Sequence, residues 1–267
     1  MIQLRIGIQT ASLQLPLKRA LHVAAQLGAE AVEIDARHEL PAAEFGDTAL
    51  RQVRKLLTDL ELRVAALGFP TRRGFDVADD LERRVAATKQ AMTMAYKLGA
   101  AVVVNQVGPV PSADAELRSP TDERRFRQLV EVLTDLGIYG QRHGALLAAE
   151  TGTESGADLA ALLAEVPAGS VGATLDPGNL IVGRFSPLEA IEALGTSILH
   201  VHAKDAALDL AQHRGVEVPL GRGSADFPAI LAALEERDYR GYLVIERQGG
   251  DNPRFEIAQA VKYLRSL

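Results

Sequence analysis

The sequence predicts an α/β protein folded as a single (β/α)8 TIM barrel, one domain over residues 1–267. Three observations predict it. Short apolar β-type runs alternate with helix-type segments from end to end. Glycines recur where a helix must stop before the next strand. Four strand-like runs in the C-terminal half each end in a side chain able to bind a metal. The length suits one barrel, and no composition break or Gly/Ser-rich linker divides the chain.

Strand one is expected near 5–9. The segment after it, Gln9-Thr-Ala-Ser-Leu-Gln14, lacks the glycine pattern with which an open, nucleotide-binding sheet usually turns into its first helix, so a closed barrel is preferred. Leu27-Gly28-Ala29 ends the first helix, because glycine enters the left-handed region without a Cβ clash. Strands near 31–35 and 63–67 follow. Leu81, Val85, Met92 and Ala95 form a helical stripe closed by Leu98-Gly99-Ala100, with Met92 and Met94 as gap-filling residues. The fourth strand is expected near 101–105.

Ser119-Pro120-Thr-Asp122 reads as a helix start, with a capping serine, proline at the first helical position and an acid three residues after the cap. His143-Gly144-Ala145 ends that helix before a strand near 146–150. A strand near 171–175 leads to a second capped start, Ser186-Pro187-Leu-Glu189, and a stop at Leu194-Gly195-Thr196. Strand seven is expected near 198–203. Phe227, Ile230, Leu231 and Leu234 then fall on one helical face, and the last strand lies near 242–246.

Composition narrows the function. Apolar residues are 47% of the chain but aromatics only 4%, with no Trp, so the core is built mainly from Ala, Leu and Val. A formal charge of −6 gives no electrostatic reason to expect a nucleic-acid partner. There is no cysteine, so any metal must be held by N and O ligands. Met1-Ile-Gln-Leu-Arg5 lacks the apolar stretch of a signal peptide, and the longest uncharged stretch, 98–113, contains Asn105, Gln106 and Pro109 and does not read as a membrane span. The expectation is a soluble cytoplasmic protein.

The four strand endings are Leu146-Leu-Ala-Ala-Glu150, Val171-Gly-Ala-Thr-Leu-Asp176, Ile198-Leu-His-Val-His202 and Tyr242-Leu-Val-Ile-Glu246. A buried strand gains nothing from an ionisable end, because burying an unpaired charge costs several kcal/mol. Four of them at intervals of about one βα unit imply a shared site, since strand C-termini converge on the mouth of such a barrel. Glu150, Asp176, His202 and Glu246 form a set of hard and borderline ligands suited to a divalent metal, with Mn²⁺ first, then Mg²⁺ or Co²⁺, and Zn²⁺ open. His200 shares the strand face of His202 but lies deeper, and reads as a hydrogen-bonded core histidine.

Leu175-Asp-Pro-Gly-Asn-Leu180, His200-Val-His-Ala-Lys-Asp205, Pro219-Leu-Gly-Arg-Gly-Ser-Ala-Asp-Phe227 and Gly241-Tyr-Leu-Val-Ile-Glu246 resemble the xylose isomerase-like sugar phosphate isomerase/epimerase family, as does Leu27-Gly-Ala-Glu-Ala-Val-Glu-Ile34. The resemblance covers most of the chain. It implies the same metal set, Glu150, Asp176, His202 and Glu246, with Glu150 and Glu246 as the pair that moves protons. Its chemistry would be isomerisation or epimerisation of a sugar or sugar derivative through an enediolate whose charge the metal offsets. The chain differs from the ketose 3-epimerases at Asn179, where those enzymes often carry a substrate-touching histidine. It also differs at Ala203-Lys204-Asp205, which is closer to the wider family.

Further substrate-binding candidates are Asn179, then Gln9, Glu33, Asn105 and Gln106 near strand ends, with Arg72-Arg73, Lys204, Arg222 and Arg247 in loops where cations would suit a phosphate or carboxylate. Lys204 stands out because it follows His202 by two residues. Gly221-Arg-Gly223 does not lead a strand into a helix, so it reads as a flexible loop beside the site and not as a phosphate loop. Charge runs such as Glu82-Arg83-Arg84 read as solvent faces.

Alternative readings are a lyase or dehydratase of the same fold (an inosose dehydratase or a 3-keto-glycoside β-eliminating enzyme), an endonuclease IV-type nuclease, and a non-catalytic binding barrel. The nuclease needs more histidines than this chain offers, since His22, His38, His143 and His213 fall away from predicted strand ends. The expected partner is a small sugar-like substrate, without nucleic acid or membrane, and with homo-oligomerisation open.

Overall fold

The computed structural model describes residues 4–41, 46–209 and 214–267. Eight parallel strands close into a barrel: β1 (Ile6–Gln9), β2 (Ala31–Asp35), β3 (Arg63–Gly68), β4 (Val102–Asn105), β5 (Leu146–Glu150), β6 (Val171–Leu175), β7 (Ile198–Ala203) and, after a hairpin, β10 (Leu243–Ile245). Their order around the barrel is β1-β10-β7-β6-β5-β4-β3-β2. Each expected strand lies within one or two residues of its observed bounds.

The helices are α1 (Leu17–Gln26), α2 (Asp47–Asp59), α3 (Leu81–Leu98), α4 (Pro120–His143), α5 (Gly156–Ala164), α6 (Pro177–Val182), α7 (Pro187–Leu194), α8 (Phe227–Glu236) and α9 (Pro253–Arg265). Ser119 and Asp122 form the reciprocal capping box expected at the start of α4, and Ser186 accepts from Glu189 N before α7. Gly99 and Gly144 take φ of +82° and +81°, ending α3 and α4 as read from the sequence.

Side chains alternate across each strand, so one set fills the barrel and the other meets the helices. Ala66, Val102, Val104 and Ala148 form a small buried cluster with Leu199 against it. Ile8, Ile34, Leu67, Val103 and Leu147 belong to the larger core shared with the helices, which also takes in Met92, Met94, Phe227 and Leu234.

One departure from expectation follows β7. The segment opening at Lys204 is not a plain loop: β8 (Asp205–Asp209) pairs antiparallel with β9 (Arg214–Val218) in a separate two-stranded sheet. The Gly221-Arg-Gly223 turn is also fixed rather than free. Its backbone amides at Gly221 and Gly223 donate to Asp205 Oδ2 at 3.0 and 2.8 Å, and Ala225 N donates to Oδ1 at 3.0 Å. Glu217 of β9 accepts from the backbone amides of Gln248 and Gly249 at 3.0 and 3.1 Å and pairs with Arg247 at 3.0 Å. The hairpin is thereby fastened to the segment that leaves β10. Among the described residues no helix is long and apolar enough to cross a membrane, and His213 lies outside them.

Candidate active site

The four strand-end residues meet at the C-terminal mouth of the barrel. Glu150 is the last residue of β5, Asp176 directly follows β6, His202 lies in β7 and Glu246 directly follows β10. One ligand atom from each lies within 4.8 Å of all the others. His202 Nδ1 is 2.9 Å from Glu246 Oε2, 3.4 Å from Glu150 Oε1 and 3.5 Å from Asp176 Oδ2. These strands are consecutive around the barrel, as β10-β7-β6-β5, so the ligands occupy one continuous arc.

Local structure aims each group. Asp176 caps α6, with Oδ1 accepting from Asn179 N at 2.8 Å, which leaves Oδ2 for the centre. Its own amide donates to Thr151 Oγ1 at 2.9 Å. Asn179 Nδ2 donates to Glu150 Oε1 at 3.0 Å. Gly152 has φ +138°, and a Cβ there would come 2.4 Å from Asn179 Cβ, so the chain after Glu150 passes Asn179 only because this residue has no side chain.

Asp176 Oδ2, His202 Nδ1 and Glu246 Oε2 are buried without a well-aligned hydrogen bond among the described residues, although Nδ1 and Oε2 face each other at 2.9 Å. An unmet buried polar atom costs about 1–3 kcal/mol, so three pointing at one centre need a physical cause. A cation held between them would supply it. Three carboxylates and one imidazole nitrogen match the donor preferences of a hard or borderline divalent metal.

Charge in the cluster is strongly biased by burial. Burial lifts the Glu150 carboxyl above the usual carboxylate range, even against the pull of His202. Burial also acts to raise Glu246, but the His202 and Lys204 charges outweigh it and hold this carboxyl low. The same contest at Glu33 ends well below the usual range, because His202 and the hydrogen bonds from both imidazoles win.

Behind the ligands lies a second tier. Glu33 Oε2 is 2.8 Å from His200 Nε2 and 3.0 Å from His202 Nε2, and Glu33 Oε1 accepts from Gln9 Nε2 at 3.1 Å. Glu33, His200 and His202 could by spacing hold an ion of their own. Their facing atoms, however, already satisfy one another by hydrogen bonding, unlike the bare atoms of the main cluster. Lys204 is 3% exposed. Its Nζ lies 3.0 Å from Asn179 Oδ1, 3.4 Å from Glu246 Oε1 and 3.6 Å from Asp176 Oδ2.

A cavity of about 250 Å³ opens over the cluster, lined by Gln9, Glu33, Asn105, Gln106, Glu150, His202, Glu246 and Gln248, among others. Of the expected substrate-binding residues, Gln9, Glu33, Asn105 and Gln106 reach this lining. Asn179 and Lys204 instead support the ligands from behind. Arg72 lines a neighbouring cleft with Arg37, Arg73 and Arg83, and Arg222 sits exposed on the turn held by Asp205. Arg247 pairs with Glu217 and Glu256. Reasoning from sequence missed Gln248, whose Nε2 donates to Glu246 Oε1 at 2.7 Å. The available signal was its place two residues beyond a strand-end ligand.

The family described as xylose isomerase-like TIM barrel matches residues 21–267. Among curated proteins, the chain is similar to an inosose dehydratase of Geobacillus thermodenitrificans, 25% identical over 251 residues and covering 83% of each protein. Among solved structures it is similar to a xylose isomerase domain protein from Planctomyces limnophilus. That match has a TM-score of 0.83 at 25% identity and covers 98% of this chain and 96% of that one. A D-psicose 3-epimerase solved in the presence of D-fructose superposes with a TM-score of 0.76 at 17% identity over 98% of this chain and 99% of that one, a likeness of fold alone.

Proposed function

Because the chain belongs to the xylose isomerase-like TIM-barrel family, we propose that it is a divalent-metal-dependent enzyme that removes the proton beside a carbonyl of a sugar or sugar derivative. The protein is an enzyme, as its curated relatives are. The observation that carries the rest is the convergence of three bare buried atoms, from Asp176, His202 and Glu246, beside Glu150.

A cation held by these four side chains, Mn²⁺ first, would offset the negative charge that builds on the substrate oxygens as the proton leaves. Glu150 and Glu246 then act as the proton carriers. They line the same cavity, and β6 and β7 separate their strands, so a substrate lying over His202 meets them from two sides. Each is braced at one oxygen, Glu150 by Asn179 and Glu246 by Gln248 and Lys204, which keeps the carboxylates in register with the carbon they serve. Gln9, Asn105 and Gln106 offer donors and acceptors to substrate hydroxyls.

The fate of the enediolate separates two outcomes. Returning the proton to another face or carbon gives an epimer or isomer. Expelling a hydroxyl from the next carbon as water gives a dehydratase, the reading favoured by the relatives named inosose dehydratase. The test is to incubate the Mn²⁺-loaded protein in D₂O with ketohexoses, inososes and 3-keto-glycosides. Deuterium entering beside the carbonyl supports the proposal, and product analysis separates epimer from dehydration product. Absence of exchange on the whole panel, together with failure to bind Mn²⁺, overturns it.

A further inference from the structure

We propose that Glu33 selects which nitrogen of His202 faces the ligand cluster, and that this positioning sets how tightly the site takes a divalent cation. The inference rests on the reading that the cluster holds such an ion. Glu33 is 2% exposed, and its Oε2 lies against the Nε2 atoms of both histidines. One carboxylate oxygen faces two ring nitrogens and accepts from both, so each imidazole turns its Nε2 to Glu33. The Nε2–H of His202 is thereby committed to Glu33, which makes Nδ1 the nitrogen that can give up its proton to a cation.

That choice matters because Nδ1 is the atom surrounded by Glu246, Glu150 and Asp176 at 2.9, 3.4 and 3.5 Å. An imidazole that ligates through one nitrogen retains one proton on the other. With Glu33 gone, three carboxylate oxygens around Nδ1 would compete for that proton and hold it where the cation has to bind. Glu33 removes the competition by accepting the proton on the far side of the ring.

His200 makes the arrangement rigid. Its ring stands at 88° to that of His202, with centroids 5.2 Å apart, and its Nε2 occupies the same Glu33 oxygen. Gln9 holds the other Glu33 oxygen. Glu33 therefore cannot rotate away from His202 without giving up hydrogen bonds to two other side chains. It is a positioning residue, acting on the cation through His202.

The test uses the full chain with Glu33→Gln, which keeps the shape and one acceptor, and Glu33→Leu, which keeps neither. Calorimetric titration with Mn²⁺ should show a tenfold to hundredfold loss of affinity for Glu33→Leu and a smaller loss for Glu33→Gln. In the Co²⁺-saturated protein, proton NMR should show the exchangeable Nε2–H of His202 as a shifted, slowly exchanging resonance. In the Glu33 variants that resonance should exchange rapidly or vanish, a change that mere loosening of the fold elsewhere would not produce. Asp176→Asn serves as the reference. If it loses Mn²⁺ while both Glu33 variants keep parental affinity and an unchanged Nε2–H signal, the role of Glu33 is refuted and the metal reading stands. If Asp176→Asn also binds Mn²⁺ like the parent, the metal reading itself fails.

Discussion

Lys204 Nζ lies 3.4 Å from Glu246 Oε1, the oxygen of that carboxylate outside the convergent set, while Oε2 points to the centre. A buried ammonium thus braces the back of a ligand. It also supplies one positive charge to a buried group that holds three cluster carboxylates and Glu33.

Removing that charge should be costly. Taking one partner from a buried ion pair typically costs about 3–5 kcal/mol. Lys204→Met should therefore lower the unfolding free energy of the metal-free protein by about 3 kcal/mol, measured by urea denaturation. Saturating Mn²⁺ should narrow the gap between variant and parent, because the ion supplies charge to the same carboxylates.

The proposed roles of Glu150 and Glu246 in moving the proton can be tested separately from metal loss. Glu150→Gln and Glu246→Gln keep length and an oxygen but no base. At saturating Mn²⁺ each should slow deuterium exchange on an identified substrate by about 10²–10⁴-fold, followed by NMR. Full exchange in either variant would rule out the two-carboxylate mechanism.

Gly152 gives a steric prediction. A methyl group at this position would collide with Asn179 in a backbone conformation that suits glycine alone. Gly152→Ala should cost about 1–3 kcal/mol in a urea titration. Pushing Asn179 off Glu150 Oε1 should also weaken Mn²⁺ binding.

Glu154 predicts a pH dependence outside the ligand set. It is 4% exposed, its Oε1 has no hydrogen-bond partner among the described residues, and burial pushes its carboxyl up to about 7. A raised folded-state value means that the protonated form is the stabilising one. Its contribution is complete below about pH 4.5 and fades as pH rises through about 7. Glu154→Gln, neutral throughout, should match the parent near pH 5 and exceed it by about 2–3 kcal/mol at pH 8, read from urea midpoints across that range.

Much of this was legible in the chain, and the reasons are local. Barrel strands announce themselves through apolar runs bounded by glycine, and a ligand at a strand end has its position set by the strand. Thus the sequence alone groups Glu150, Asp176, His202 and Glu246. Depth was not legible. Lys204 follows His202 by two residues, which set its side of the strand but not that it would tuck beneath Asn179 and Glu246. Glu33 was visible as a strand-end acid, yet its bonds to His200 and His202 span 167 and 169 residues. The β8–β9 hairpin escaped because its strands pair only with each other and carry no long apolar run. Arg72 and Arg222 missed the cavity because loops, unlike strands, do not dictate where a side chain ends up.

The placement of the four ligands on adjacent staves, β5, β6, β7 and β10, leaves the facing semicircle, β1 to β4, free of that duty. Gln9, Glu33, Gly68 and Asn105 line the cavity from that half, and Glu33 reaches across it to hydrogen-bond His202. Such a division makes the molecule easy to retool: mutations at Gln106, Asn105 or the segment around Pro70 can reshape what is gripped while the ion-holding half stays untouched. A change in what the bowl grips therefore need not disturb the wall that carries the four convergent side chains.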